Sequence, residues 1–179
     1  MEAYISIDYT NDFIHDNGAL TLKERGQAIE KAMVTFVKEG LEQKHLVVLA
    51  MDCHRLDEHN HPENKLFPPH NLEGSFGQQC FGQLNDIYQA HQNEMIWLNK
   101  RRYSAFYHTP LVDYLRENHI ETIHLSGVCT HICVLQTAID AYYRGFNIVV
   151  HSHACASFSD EEHEFALRYM QEVLGAEVI

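Results

Sequence analysis

Short apolar segments recur along the chain with little polar alternation inside them. This pattern is typical of strands that are buried on both faces. The segments are AYISI (3–7), HLVVLA (45–50), EMIWL (94–98), TIHLSG (122–127), FNIVV (146–150) and AEVI (176–179). Between most of them the apolar residues follow helical spacing, so the pattern predicts strands that alternate with helices.

Four amphipathic segments are predicted to be helices. Their ranges are 21–41, 109–119, 130–144 and 159–174. Thr109 has the character of an N-cap, and Pro110 suits the first helical position. The sequence SDEE (159–162) has capping-box spacing. Gly145 and Gly175 follow the last periodic residues of their helices, where glycine ends a helix readily.

The alternation of strands and helices predicts an α/β protein with a parallel sheet covered on both faces. With 179 residues, the chain is expected to form one domain, 1–179. The connection from Asp52 to about Asn93 has few strand signals and is longer than a parallel sheet needs. Long irregular connections of this kind are usually functional.

Charge and composition exclude several classes of function. The net charge of −12 argues against a nucleic-acid partner or an anionic membrane surface. No apolar run is long enough to span a membrane, and MEAYISIDY (1–9) lacks the features of a signal peptide. We therefore expect a cytoplasmic protein whose five cysteines stay reduced.

Reactive side chains follow the predicted strands, where ligands bind in open α/β sheets. Asp8 follows the first strand, Asp52 to His54 the second, Lys100 the third, and GVCTHIC (127–133) the fourth. One crevice could therefore hold all of these groups. The ordinary alternatives are a turn-capping role for Asp8 and a solvated strand end for Lys100.

The cysteines are read first as buried small hydrophobic residues. Cys53 alternates with its neighbours and is expected to face the core. Cys129 and Cys133 differ because they flank the start of a predicted helix, where the amide dipoles favour a thiolate.

The segment MDCHRLDEHNHPENKLFPPH (51–70) is rich in metal-ligating side chains. The candidates are Asp52, His54, His59, His61, Glu63 and His70. Asp52 and His54 leave the strand end on one face, and Pro68 and Pro69 stiffen the approach to His70. His59 and His61 are interpreted as solvated loop histidines, with a ligand role as the alternative.

Four motifs together resemble the nicotinamidases (pyrazinamidases) of the isochorismatase-like cysteine hydrolase superfamily. SIDYTNDF (6–13) is similar to the family's opening motif, and DCH…HPENKLFPPH to its metal segment. NKRRYSAF (99–106) is similar to its lysine motif, and GVCTHICVLQTAIDA (127–141) to its nucleophile motif. The resemblance extends from Ile5 to Val178.

The resemblance implies a three-layer α/β/α fold with a six-stranded parallel sheet in the order 3-2-1-4-5-6. It implies a catalytic triad of Asp8, Lys100 and Cys133, with the backbone amides of Cys129 and Cys133 as the oxyanion hole. A cis peptide at Val128–Cys129 is also implied. Thr10 and His131 depart from the family pattern, which has glutamine and aspartate at these positions.

The implied reaction is hydrolysis of nicotinamide, and of pyrazinamide, to the acid and ammonia through a cysteine thioester, in NAD salvage. One divalent ion, with zinc ahead of manganese and iron, would bind the pyridine nitrogen. The implied ligands are Asp52, His54, Glu63 and His70. Phe13, Phe67, Tyr103 and Phe106 are expected to form walls around the substrate ring, with a core role as the alternative for each.

The family resemblance also favours a homo-oligomer. Three other interpretations stay open at the level of sequence. The protein could hydrolyse another small amide, use a metal-bound water as nucleophile, or carry a metal or ligand without catalysis.

Overall fold

The computed structural model describes residues 1–179 and contains a six-stranded sheet. The strands are β1 (Ala3–Ile7), β2 (Leu46–Asp52), β3 (Met95–Lys100), β4 (Thr122–Val128), β5 (Asn147–Ala156) and β6 (Glu177–Val178). All neighbouring pairs are parallel, and the order is β3-β2-β1-β4-β5-β6. The predicted fold class and strand order are confirmed.

The predicted strands match the observed ones to within two residues at each end, except at the end of β5. The pattern ended this strand at Val150, because the polar residues of HSHACA follow. The structure continues it to Ala156, after a register shift of the pairing with β4 between Leu125 and Gly127. The extension carries β5 to the end of β4, beside the turn that follows β4.

Seven α-helices flank the sheet. They are α1 (Asn11–Ile14), α2 (Glu24–Ala28), α3 (Glu30–Glu42), α4 (Gly82–His91), α5 (Leu111–Glu117), α6 (Leu135–Tyr143) and α7 (Asp160–Leu174). The predicted helix 21–41 is divided into α2 and α3 at Ile29. Helix α4 lies in the connection that was predicted to be irregular. The sequence did not indicate this helix, because its apolar pattern is weak and only Leu84 is buried.

Two hydrophobic cores lie on opposite faces of the sheet. In β1, Ala3, Ile5 and Ile7 contribute to the core beneath α5, α6 and α7, whereas Tyr4 contributes to the core beneath α3 and α4. This division follows from the alternation of side chains along a strand. The sheet is therefore the middle layer of three.

Helix ends follow the expected local chemistry with one small shift. Ser159 caps α7 by accepting a hydrogen bond from the Glu162 N–H, and Gly175 ends α7 with φ of +66°. Pro110 is the N-cap of α5 itself, although the Thr109 hydroxyl accepts from the Leu111 N–H at 3.3 Å. None of the helices has the length and apolarity required to cross a lipid bilayer.

Candidate active site

The carboxyl ends of four adjacent strands meet at one crevice. Asp8 follows β1, Asp52 ends β2, and Lys100 ends β3. Cys133 lies in a π-helical turn, Thr130–Val134, that follows β4 and leads into α6. All four side chains are buried. Their protonation states are therefore set mainly by one another and not by contact with water.

Lys100 is the centre of this group and is fully buried. Its ammonium forms an ion pair with Asp8 Oδ2 at 2.7 Å and a short hydrogen bond to Asp52 Oδ1. It also donates to Cys133 Sγ at 3.6 Å and to the Arg102 carbonyl at 3.2 Å. One cation therefore contacts two carboxyl groups and the thiol.

The carboxylates keep this lysine charged. Burial alone lowers the pKa of Lys100, but Asp52 and Asp8 outweigh it and hold that pKa well above the usual value. Burial likewise raises the pKa of Asp52, yet the charge of Lys100 and the adjacent imidazoles of His54 and His70 leave it well below its ordinary range. Lys100 and Asp52 are thus an ionised pair.

Asp8 differs from Asp52 in its ability to take up a proton. Burial and the adjacent charge of Asp52 raise the pKa of Asp8 to about 7, against the opposing effect of Lys100. Burial also raises the pKa of the Cys133 thiol, and the charge of Lys100 offsets only part of this rise. A carboxyl group that exchanges its proton near neutral pH, close to a thiol, suits general acid–base chemistry.

The turn that holds Cys133 is tightly built. The peptide bond between Val128 and Cys129 is cis, as expected. The Cys129 carbonyl accepts hydrogen bonds from the Ile132 and Val134 N–H groups at 3.0 and 3.3 Å. Cys129 and Cys133 both line the cavity described below.

Gly127 allows β4 to approach β1 closely at this point. Its φ is +124°, and a Cβ atom there would lie 2.0 Å from the Ile7 carbonyl oxygen. Any larger residue would push apart the strands that lead to Asp8 and to the π-helical turn of Cys133.

Asp52 also belongs to a group of four possible metal ligands. Donor atoms of Asp52, His54, Glu63 and His70 all lie within 4.8 Å of one another, and all four residues are buried. The His54 Nε2 atom is 3.7 Å from Asp52 Oδ2 and 3.8 Å from Glu63 Oε2. His70 Nε2 is 3.8 Å from the same two oxygens.

This donor set fits a divalent ion. The separations are too long for hydrogen bonds, and His54 Nε2 and Glu63 Oε1 have no hydrogen-bond partner although they are buried. The His70 Nδ1–H donates to the Pro68 carbonyl at 2.8 Å, which leaves Nε2 free as a ligand. Two imidazoles and two carboxylates are suitable ligands for zinc, manganese or iron.

A second acidic group is explained without a metal. Asp8, Asp52 and Cys133 also have donor atoms within 4.8 Å of one another. The ammonium of Lys100, however, contacts all three residues. A lysine side chain therefore supplies the cation there.

His61 is not the solvated loop histidine that was predicted. Its exposed fraction is only 5%, its Nδ1 accepts from the Glu63 N–H at 3.3 Å, and its Nε2–H donates to the Arg101 carbonyl at 2.7 Å. These bonds hold the 3₁₀ turn Pro62–Lys65, which places Glu63. His59 is exposed, and neither histidine belongs to the four-residue donor group.

A narrow cavity of about 10 Å³ joins the donor group to Cys133. Three of the four aromatic residues expected to surround the substrate ring line it: Phe13, Phe67 and Tyr103. Phe106 does not line it. This ring is 4% exposed and lies in the core, stacked on Phe146 at 6.0 Å.

Three apolar walls of the cavity were missed from sequence: Leu20, Ile132 and Phe158. Leu20 and Phe158 belong to loops with no periodic pattern, so no local signal marked them. Ile132 was assigned to the helical periodicity of 130–144.

The two departures from the family pattern each have a structural partner. The Thr10 hydroxyl donates to Asn71 Oδ1 at 2.7 Å. His131 Nδ1 is 3.0 Å from the Ser157 hydroxyl, and its ring lies edge-on to Phe158 at 6.4 Å. His131 thus connects the π-helical turn of Cys133 to the loop that carries Phe158, one of the cavity walls.

Comparisons with known proteins agree with this architecture. The Isochorismatase domain family matches residues 2–179, and the chain belongs to this family. A curated relative from Bacillus subtilis (strain 168), named uncharacterized isochorismatase family protein PncA, is 49% identical over 179 residues. The alignment covers 99% of this chain and 98% of the relative.

Solved structures include close matches with named activities. The pyrazinamidase/nicotinamidase of Streptococcus mutans UA159 superposes with a TM-score of 0.98 at 46% identity, and the match covers 100% of both chains. The pyrazinamidase of Pyrococcus horikoshii in complex with zinc has a TM-score of 0.86 at 26% identity, with 99% of this chain and 98% of that chain covered.

Proposed function

We propose that the protein is a nicotinamidase, which hydrolyses nicotinamide, and pyrazinamide, to the carboxylic acid and ammonia. One observation carries the proposal: a buried cysteine, aspartate and lysine lie next to a buried group of four metal-ligating side chains, with a narrow cavity between. The likeness to pyrazinamidase/nicotinamidase structures supports the same substrate class.

Cys133 is the nucleophile in this proposal. Asp8 takes the thiol proton as sulfur attacks the amide carbon, and it returns that proton to the leaving nitrogen, so ammonia departs as the C–N bond breaks. The pKa of about 7 for Asp8 supports both transfers. Lys100, 3.6 Å from the sulfur, stabilises the thiolate by its charge.

The backbone amides of Cys129 and Cys133 form the oxyanion hole. One well-placed donor there lowers the barrier by roughly 3–4 kcal/mol. Water then attacks the thioester, loses a proton to Asp8, and releases the acid while the thiol is restored. The position of both residues on the cavity wall supports these roles.

The donor group serves orientation and not attack. Asp52, His54, Glu63 and His70 would hold a divalent ion, which would supply a Lewis-acid position for the pyridine nitrogen and so orient the carboxamide toward Cys133. The zinc complex of the Pyrococcus horikoshii pyrazinamidase supports zinc as the first choice of ion. Phe13, Phe67 and Tyr103 flank the ring. In the cell this reaction serves NAD salvage, and we propose a cytoplasmic homo-oligomer.

The test is ammonia release from nicotinamide, pyrazinamide and an aliphatic amide by the metal-loaded protein. Cys133→Ala is expected to abolish turnover and to leave bound metal unchanged. Cys129→Ala is the matched control, and it retains activity because its proposed contribution is a backbone amide.

Three results would contradict the proposal. Release from the aliphatic amide alone would assign another amidohydrolase. Activity that survives in Cys133→Ala but is lost with a chelator would indicate a metal-bound water as nucleophile. Metal binding with no hydrolysis of any amide would indicate a carrier.

A further inference from the structure

The carboxylate of Asp12 joins two loops that border the proposed site. Asp12 lies in the first turn of α1 and is half-buried. Its Oδ2 accepts from the Asn71 N–H at 2.7 Å, and its Oδ1 accepts from the Ala19 N–H at 3.1 Å. The Asp12 carbonyl also accepts from the Leu20 N–H at 3.0 Å. Asp12 is not one of the four donors and does not line the cavity.

Asn71 connects this carboxylate to both histidines of the donor group. It follows His70 directly, is fully buried, and has a left-handed backbone with φ of +44°. Its carbonyl accepts from the His54 N–H at 3.0 Å, and its side-chain oxygen accepts from the Thr10 hydroxyl at 2.7 Å. Thr10 and Asp12 therefore both hold Asn71, which follows His70 in the chain and accepts the hydrogen bond from the His54 N–H.

The space around the Asp12 carboxylate excludes other side chains. A Cβ atom at Gly77 would lie 2.0 Å from Asp12 Oδ2 and 2.6 Å from Oδ1. The 3₁₀ turn Phe76–Gln78 thus passes directly over the carboxylate. This close approach holds the carboxylate in one position toward Asn71 and Ala19.

We propose that Asp12 is a positioning residue, with Thr10 as its second anchor, that sets the metal affinity of the site and the position of the Leu20 wall. The proposal rests on the metal site of the proposed function. His70 lies at the end of an exposed loop, so ordering that loop on metal binding costs conformational entropy. Anchoring Asn71 in advance removes most of this cost, because His70 is then held beside His54 before the ion binds.

Asp12→Asn tests the proposal with little change in volume. The Asn71 and Ala19 N–H groups approach different oxygens of Asp12. The amide replaces one of these oxygens with an NH₂ donor, so one of the two hydrogen bonds is lost. We expect the dissociation constant for zinc, measured by competition with a chromophoric chelator, to rise about 10- to 100-fold, as for other residues that orient metal ligands. The rise in Tm on adding zinc should shrink, and KM for nicotinamide should increase more than kcat falls.

Asp113→Asn is the matched control. Asp113 is an exposed aspartate in the first turn of α5, so the same change of charge at a helix start should leave zinc affinity unchanged. Thr10→Val removes only the hydroxyl that holds Asn71, and it should weaken zinc binding roughly three- to tenfold. If Asp12→Asn does not fold, Thr10→Val decides alone.

Unchanged zinc affinity in Asp12→Asn and Thr10→Val overturns the proposal. Equal losses of Tm with and without zinc would show a merely structural role and overturn it as well. The series is independent of turnover: a wild-type protein that binds zinc but hydrolyses no amide refutes the proposed function and leaves this test in force. A wild-type protein that binds no divalent ion refutes both.

Discussion

At the scale of single residues, the site is an arrangement of buried charges. Asp8, Asp52 and Glu63 are three buried carboxyl groups, and Lys100 is the one buried ammonium near them. Burial and the charge of Asp52 raise the pKa of Glu63, since no cation contacts it directly. A divalent ion beside Glu63 and Asp52 would balance the excess negative charge.

Glu63 is expected to be essential for metal binding. Glu63→Ala removes one of four converging donors, so bound metal after dialysis should fall at least tenfold. His59→Ala, at an exposed position outside the donor group, is the control and should retain the metal. Metal analysis of the purified variants checks this, and equal metal content in the two would refute the assignment of Glu63.

His61 gives a graded case for the same measurement. His61→Ala removes the hydrogen bonds to the Glu63 N–H and the Arg101 carbonyl. The 3₁₀ turn Pro62–Lys65 is then held less firmly, but Glu63 itself is still present as a ligand. We therefore expect a loss of metal smaller than that of Glu63→Ala.

At the scale of elements, α7 is bounded by strong local signals. The Ser159 hydroxyl accepts from the Glu162 N–H at 3.2 Å and donates to the Glu162 carboxylate at 2.9 Å. Asp160, Glu161 and Glu162 place negative charge in the first turn, where it interacts favourably with the helix dipole. Gly175 ends the helix in the left-handed conformation.

Ser159→Ala should lower the free energy of unfolding by about 1 kcal/mol, because the cap of α7 is lost. For a chain of this length the expected fall in Tm is roughly 2–4 °C. Ser159→Thr keeps the capping oxygen and should restore most of the stability. Thermal unfolding followed by circular dichroism measures both, and an unchanged Tm in Ser159→Ala would show that the cap contributes little.

At the scale of the whole molecule, the cavity beside Cys133 is assembled from distant loops. Leu20 comes from the chain between α1 and α2, Phe67 from the loop after β2, and Phe158 from the turn after β5. The cavity volume of about 10 Å³ leaves room for no more than about one water molecule. A pyridine ring can therefore enter only when these walls shift.

Phe158→Ala is expected to widen the substrate range. The ring is 38% exposed at the mouth of the cavity, so its removal opens space toward solvent. The ratio of kcat/KM for a ring-methylated nicotinamide to that for nicotinamide should rise roughly 10- to 100-fold, the value of one methyl group in an apolar pocket. Phe165→Ala, at an exposed position of α7 outside the cavity lining, should leave the ratio unchanged.

A histidine cluster on the other side of the molecule predicts how stability depends on pH. His151 shares a hydrogen bond of 2.9 Å with His124, whose other nitrogen is 3.0 Å from Glu2. Burial and the imidazoles of His124 and His153 lower the pKa of His151 to about 4. Tyr4 packs against the same rings.

The sign follows from proton uptake. Between about pH 4 and pH 6.5 the unfolded chain binds a proton at His151 and the folded chain does not, so stability falls as pH decreases through this range. Allowing for solvent screening, the loss is about 1–2 kcal/mol. Urea unfolding between about pH 4 and pH 6.5 should show a weaker pH dependence of the free energy of unfolding in His151→Gln than in the wild type. Equal pH dependence in the two proteins would refute the lowered pKa of His151.

Local patterns determined much of this protein. Strand positions follow from short uninterrupted apolar runs, and the limits of α7 follow from helical periodicity and capping within a few residues of each end. The strand order, and the proposed triad of Asp8, Lys100 and Cys133, came from the family resemblance of motifs spread over the chain. Parallel strands then bring these side chains to one edge of the sheet.

Only the tertiary structure decided which side chains meet across long distances in sequence. His61 was interpreted as solvated, yet it is buried because the Arg101 carbonyl and the Glu63 N–H come to its ring. Phe106 belongs to the core, while Leu20 and Phe158 line the cavity. These outcomes depend on how separate loops pack together. The sequence pattern within one loop does not indicate which other loop will pack against it.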